Sequence, residues 1–172
     1  AEARFSAVER LAGIARQEAV DAVLVAGDVF DAQTVSDRTI RRLFNAMGAY
    51  AGPWVLIPGN HDAALAESVW SRARRLGAVA PNVHLALGAQ VMAFPERGFV
   101  VLPAPLTQRQ TPADETAWFD HAETAPGLVR VGLAHGSVQG VLAEDIDSPN
   151  PIAADRATRD GGMHQILAGR ML

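Results

Sequence analysis

The sequence contains no cysteine and no lysine. Without cysteine, the protein cannot have a disulfide framework, a thiolate zinc site or a thiol nucleophile. All fifteen basic residues are therefore arginine, and with nineteen acidic residues they give a formal net charge of −4. We interpret the arginine excess as codon bias and not as adaptation to nucleic acid.

Long apolar runs and an obvious leader are also absent. No run reaches the roughly 20 apolar residues that a membrane-spanning helix needs. The chain begins with Ala1, and no basic and apolar leader follows it. These patterns predict a cytoplasmic protein with no membrane segment and no signal peptide.

The composition is that of a folded domain. Of the 172 residues, 49% are hydrophobic and 20% are charged, which is far from the composition of disordered chains. This length corresponds to one domain.

The first half of the chain alternates helical and strand patterns. Apolar residues recur at helical spacing over 4–20, and Ser36 offers an N-cap for a second helix. The runs 22–26 and 54–57 are apolar at every position, which is typical of strands covered on both faces. A further helix is predicted over about 65–76. The order α, β, α, β implies right-handed crossovers and a parallel sheet.

The pattern changes after residue 77. Short strands separated by glycine favour an antiparallel meander, followed by a short helix, another strand and a last helix opened by proline. These predicted elements are, in order, strands 83–87, 90–94 and 99–102, a helix around 114–123, a strand 128–134 and a helix 151–158.

Polar side chains follow three of the predicted strands at their carboxyl ends. They are Asp28 after Gly27, Asn60 after Gly59, and His135 before Gly136. Because a ligand crevice lies beyond the carboxyl ends of strands in open α/β sheets, we expect these groups to converge. A carboxylate, an amide oxygen and an imidazole, without thiols, suit Mn²⁺, Fe or Zn²⁺.

The residues after Asn60 add candidates for catalysis. His61 can protonate a leaving oxygen or stabilise charge on a phosphoryl group. Asp62 can orient that imidazole or cap the helix that follows. Asp31 is either a turn residue or a support for the metal ligands.

These motifs, in this order, resemble those of the calcineurin-like metallophosphoesterases. The motifs are Gly27-Asp28-Val29-Phe30-Asp31, Gly59-Asn60-His61-Asp62 and Leu133-Ala134-His135-Gly136. The Phe-Asp pair, Asp62 and the run Asn82-Val83-His84-Leu85 make the sequence more similar to the SbcD-type DNA repair exonucleases. The resemblance implies an α/β fold of layered sheets and helices, an αββα sandwich.

The resemblance also implies roles for single residues. It makes Asp28 the ligand that bridges two divalent cations, usually Mn²⁺, and makes Asn60 and His135 ligands to one of them. His61 becomes the catalytic histidine, with Asp31 and Asp62 as supporting side chains. The implied activity is metal-dependent phosphodiester hydrolysis on DNA, with an SMC-like coiled-coil ATPase of the SbcC type as partner.

The sequence departs from the family pattern at both ends. The family opens with a strand ending in Asp-x-His, and no such strand precedes the first predicted helix. Near the other end, the run 165–169 is not followed by the family's histidine, and His164 lies before that run. We therefore expect residues 1–172 to be a partial domain, incomplete at both ends and missing most ligands to one metal.

Two other interpretations of function stay open. One is that the chain is a non-catalytic fragment with a partial metal site, which the missing motifs favour. The other is that it is a small-molecule phosphodiesterase or phosphatase on the same fold. His84 and His121 lack a motif around them, so we expect ordinary strand or helix positions. The arginine clusters at 38–42 and 72–75 are expected to be solvated helix faces.

Overall fold

The computed structural model describes residues 2–140, 149–157 and 165–168. The helices are α1 (Glu2–Gln17), α2 (Asp37–Ala46), α3 (Val69–Arg75) and α4 (Ala154–Ala157). The strands are β1 (Val23–Ala26), β2 (Trp54–Ile57), β3 (Val83–Leu85), β4 (Met92–Phe94), β5 (Phe99–Ala104), β6 (Val129–Ala134), β7 (Ser137–Val138), β8 (Pro151–Ile152) and β9 (Gln165–Ala168).

The strands form two main sheets and one small one. The first sheet has the order β1-β2-β3 and is parallel throughout. The second has the order β4-β5-β6-β9, in which only the β4–β5 pair is antiparallel. Strands β7 and β8 form a short parallel pair beyond the end of β6.

Alternate side chains of the strands separate the core into layers. On β2, Trp54 and Leu56 pack with helices α1, α2 and α3. Val55 and Ile57 belong instead to a cluster that includes Val101 of the second sheet. The far face of the second sheet packs against Phe119 and Ile152. The result is a layered α/β structure of helices, sheet, sheet and outer segments, which confirms the predicted fold class.

The helices and strands predicted up to residue 57 are confirmed. Ser36 is the N-cap of α2, and its hydroxyl accepts a hydrogen bond from the Thr39 backbone N–H. Strand β2 has the predicted bounds. Arg42 of α2 pairs with Glu2 and Glu9 of α1, so part of the arginine cluster serves to join two helices.

The predicted antiparallel meander is wrong for the first of its three strands and correct for the pair of β4 and β5. Strand β3 continues the first sheet in parallel to β2 because α3 forms a crossover between them. Strand β5 pairs in parallel with β6, and only β4 and β5 form an antiparallel hairpin. Short glycine-separated runs specify strands but not which strand each one pairs with.

Three predicted helices begin later or are shorter than expected. Helix α3 begins at Val69 because Ser68 and Ser71 form a capping box there. The helix predicted around 114–123 is a 3-10 helix over Ala117–Asp120. Pro151 lies in strand β8, and α4 follows it from Ala154.

Other predictions fall beyond the described residues. His164, residues 169–172 and residue 158 lie outside them, so the structure does not test the expectation that the family's histidine motif is missing near this end. Among the residues that the structure describes, no helix is both long and apolar enough to span a bilayer.

Candidate metal centre

Asp28 follows β1 through a sharp turn. Gly27 and Asp28 both adopt left-handed backbone conformations, with φ of +86° and +52°. A Cβ at Gly27 would lie 2.6 Å from His135 Nδ1 and 2.7 Å from the Gly59 Cα. Glycine is therefore required by close packing as well as by φ, and Asp28 is one of the few residue types that tolerates the left-handed region.

Asn60 and His61 follow β2, which lies beside β1 in the first sheet. The His61 backbone N–H donates to Asp28 Oδ1 over 3.0 Å, which joins the two turns. A Cβ at Gly59 would collide with the Asp28 carboxylate and backbone nitrogen. The side chain of His61 is exposed to solvent at this rim.

His135 reaches the same rim from the second sheet, at the end of β6. Its side chain is only 7% exposed. Its Nδ1–H donates to the Ala26 carbonyl over 2.7 Å, which leaves a lone pair on Nε2 of the neutral ring. Nε2 lies 2.9 Å from Asn60 Oδ1 and 3.4 Å from Asp28 Oδ2. The predicted convergence of Asp28, Asn60 and His135 is thus present.

The donor atoms of this trio fit a divalent cation. Three lone-pair atoms that face one another are stabilised by a positive centre between them, either a proton on Nε2 or a metal ion. Ligand atoms about 2.0–2.2 Å from a metal lie roughly 3 Å from each other, close to the spacing seen here. The mixed nitrogen and oxygen donors suit Mn²⁺, Fe or Zn²⁺.

The trio is small for a two-metal site. Across the described residues, no group of three or more His, Cys, Asp or Glu side chains is placed to hold a metal. The trio itself contributes one Asp, one His and the amide of Asn60. Ligands for a second cation are therefore not found in the part of the chain that the structure describes, and bridging by Asp28 stays a prediction.

Asp62 holds the two turns of the first sheet together. It is fully buried, and its carboxylate accepts hydrogen bonds from the backbone N–H groups of Gly59, over 2.6 Å, and Phe30, over 3.1 Å. Burial raises the pKa of Asp62, and the nearby Asp28 adds to the rise, while these hydrogen bonds oppose it. The helix cap suggested for Asp62 is instead made by Ser68.

The remaining polar candidates lie apart from the trio. Asp31 is 73% exposed and pairs with Arg4 of α1, so its supporting role stays a prediction. His84 packs edge-to-face on Phe94 at 5.2 Å, and burial lowers its pKa. His121 is exposed at the end of the 3-10 helix. Both conform to the expectation of ordinary structural positions.

Two residues that support the loop after Asn60 belong to no sequence motif, so their role could not be predicted from the sequence. Gln33 donates to the Ala63 carbonyl and accepts from the Val69 N–H, both over 2.8 Å. Trp70 donates its indole N–H to the Asp62 carbonyl over 2.5 Å. Trp70 is a fully buried core residue, and its bond to the loop depends on tertiary contacts.

Comparison with known proteins identifies a family. The model of a family described as calcineurin-like phosphoesterase matches residues 1–167. A search of curated proteins finds no match.

Proposed function

The chain belongs to the calcineurin-like phosphoesterase family, and on that premise we propose that it hydrolyses phosphodiesters with a divalent cation held by Asp28, Asn60 and His135. The family consists of metal-dependent phosphoester hydrolases that typically use a dinuclear site. The observation that carries the proposal is the convergence of His135 Nε2 with Asn60 Oδ1 and Asp28 Oδ2, at 2.9 and 3.4 Å.

The chain's own residues divide the work of such a reaction. When bound, a divalent cation supplies Lewis-acid stabilisation of the negative charge that grows on the phosphoryl oxygens. His61 is next to Asn60 and exposed, so its imidazole can reach a bound phosphodiester and give a proton to the leaving oxygen. The hydrogen bond from the His61 backbone N–H to Asp28 Oδ1 holds the backbone of His61 beside the trio.

For the substrate, we propose DNA, with the protein acting as a repair exonuclease or endonuclease in the cytoplasm. Support comes from the resemblance of residues 27–31 to the SbcD-type nucleases, and from the exposed rim, which a polymer can approach. Mn²⁺ is the proposed metal and an SbcC-type coiled-coil ATPase the proposed partner. Phe30 of this motif is buried and packs on Trp70 at 5.5 Å, so in this fold it contributes to the core.

The test combines Mn²⁺ binding with hydrolysis of bis-p-nitrophenyl phosphate. His61→Asn is expected to lower the rate about 10²–10⁴-fold and to keep the Mn²⁺ affinity. Asp28→Asn and His135→Asn are expected to lose both, whereas the exposed control His121→Asn should lose neither. Undiminished hydrolysis in both His61→Asn and His135→Asn would overturn the proposal.

Comparison of a phosphomonoester, a phosphodiester and DNA as substrates distinguishes the alternative functions. Faster hydrolysis of p-nitrophenyl phosphate than of the diester favours a phosphatase. Mn²⁺ binding without hydrolysis of either ester favours a non-catalytic chain. Mn²⁺-dependent shortening of linear duplex DNA, with closed circles left intact, supports the exonuclease.

A further inference from the structure

Asn150 lies close to the metal-site histidine in space, although it comes fifteen positions after it in the sequence. It is 7% exposed, and its backbone has a left-handed φ of +59°. A buried polar residue with a left-handed backbone destabilises the fold unless its polar groups form hydrogen bonds.

The side chain of Asn150 binds the loop that follows β5. Its Oδ1 accepts from the Thr111 backbone N–H over 2.9 Å, and its Nδ2 donates to the Arg109 carbonyl over 3.2 Å. Its own backbone N–H donates to the Thr111 carbonyl over 2.9 Å. These three bonds attach Asn150 to one loop.

The backbone carbonyl of Asn150 points to the turn that carries His135. It accepts from the Ser137 N–H over 3.0 Å. A Cβ at Gly136 would collide with this carbonyl oxygen, so only glycine allows the approach. The turn after His135 is thereby held between Asn150 on one side and the bond from Nδ1 to Ala26 on the other.

We propose that Asn150 is a positioning residue that fixes the His135 imidazole with Nε2 towards Asp28 and Asn60. The inference deepens the proposed function and rests on it for its effect on metal binding. Groups that hold a metal-ligating histidine in place typically change metal affinity 10–100-fold when removed. Asn150 reaches the histidine through the backbone and not through its ring.

The first test needs no metal. At about pH 8 and without metal, long-range ¹H–¹⁵N NMR is expected to show His135 as the single tautomer with its proton on Nδ1. Asn150→Ala and Gly136→Ala, which loosen the turn from opposite sides, should mix the tautomers and speed exchange of the Nδ1 proton at least 10-fold. Retention of the single tautomer in both variants would overturn the inference.

Matched variants separate positioning from general loss of stability. Thr111→Val removes a buried hydroxyl that accepts from the Ala113 N–H, but it keeps the backbone bonds of Thr111 to Asn150, so the His135 tautomer should be unchanged. Asn150→Gly keeps the left-handed backbone without strain and loses only the side-chain bonds. It provides the same test should Asn150→Ala fail to fold, and its tautomers should also mix.

The second test measures Mn²⁺ affinity by calorimetry, well below the unfolding temperature. Asn150→Gly is expected to bind roughly 10-fold more weakly or worse, with Thr111→Val unchanged. If His135→Asn binds Mn²⁺ as well as the unsubstituted chain, the proposed function fails while the tautomer result still decides the positioning role. If Mn²⁺ binding requires His135 but Asn150→Gly binds normally, the positioning inference alone fails.

Discussion

The Asp62 carboxylate shows how much of the candidate centre can depend on one side chain that is not itself a ligand. Each of its oxygens accepts a backbone N–H, one from the turn after β1 and one from the turn after β2. A carboxylate can accept both bonds, whereas an amide offers only one oxygen. The two turns that carry Asp28 and Asn60 are thus joined through a single buried group.

Asp62→Asn is therefore expected to lower the free energy of unfolding by about 1–3 kcal/mol, because one buried N–H loses its acceptor. Urea unfolding measures the change. Asp31→Asn is the control, since Asp31 is an exposed partner of Arg4 and its replacement should leave the unfolding curve unchanged. Equal stability of Asp62→Asn and the parent chain would contradict this account of the turns.

His84 predicts a measurable dependence of stability on pH. Burial against Phe94 lowers its pKa below the ordinary value of 6.5, so the unfolded chain takes up the proton before the folded chain does. Its contribution to stability is complete above about pH 6.5 and is lost as the pH falls towards the lower folded pKa.

His84→Gln should remove this contribution and flatten the curve of unfolding free energy against pH below about 6.5. The comparison uses urea unfolding at several pH values. His121→Gln changes an exposed histidine and should leave the slope of the parent chain intact. If the His84→Gln curve keeps the slope of the unsubstituted chain, His84 contributes no pH dependence to stability, which would contradict this prediction.

Among the secondary structure elements, α1 has one residue inside it and one just past its end whose types oppose their conformations. Gly13 lies inside the helix, where glycine is unfavourable, and a Cβ there would meet nothing within 4 Å. Ala19 lies just past the helix end with φ of +49°, a conformation that glycine adopts without cost.

Opposite substitutions at these positions should both stabilise the protein. Gly13→Ala and Ala19→Gly are each expected to raise the free energy of unfolding by about 0.5–1 kcal/mol. Gly77→Ala is the control, because Gly77 ends α3 at φ of +62° and alanine there should destabilise by about 1 kcal/mol. Thermal and urea unfolding report all three, and a loss of stability in Ala19→Gly would contradict the assigned helix end.

The elements that sequence reasoning predicted well are those specified locally. Ser36 caps α2 through a hydroxyl three residues from its partner Thr39, which a sequence pattern can indicate. The start of α3 was mispredicted because the segment before it is held by distant groups, as in the bond from the Ala64 N–H to the Leu106 carbonyl. Pro151 lies in a strand because the pairing with β7 uses the carbonyls of its neighbours Asn150 and Ile152, which accept from the N–H groups of Ser137 and Gln139. This pairing needs no N–H from the proline.

The candidate centre likewise combines residues that the sequence predicts with one that depends on distant contacts. Asp28, Asn60 and His135 were predicted to converge because each follows the carboxyl end of a strand. They do converge, although His135 comes from the second sheet and the other two from the first. Asn150 was not predicted, since its side-chain partner Thr111 is 39 residues away and no motif marks the pair. Ligand types can be identified from a sequence, but the bonds that orient them depend on packing between loops.

At the scale of the whole molecule, the candidate centre lies where the two main sheets meet. Asp28 and Asn60 come from the first sheet, whereas His135 comes from the second. The bond from His135 Nδ1 to the Ala26 carbonyl crosses between them. A cation bound to all three side chains would therefore link the sheets and favour the folded state, because the unfolded chain cannot present the three donors together.

Mn²⁺ is accordingly expected to raise the melting temperature. At a free concentration 100-fold above Kd, the stabilisation is about 2.7 kcal/mol, which for a domain of this size corresponds to a rise of roughly 5–10 °C. Differential scanning calorimetry with Mn²⁺ and after EDTA measures the difference. His135→Asn should abolish the rise because it removes the donor of the second sheet, whereas His84→Gln should keep it. A full rise in His135→Asn would show that Mn²⁺ binds elsewhere and that the two sheets are not joined through this site.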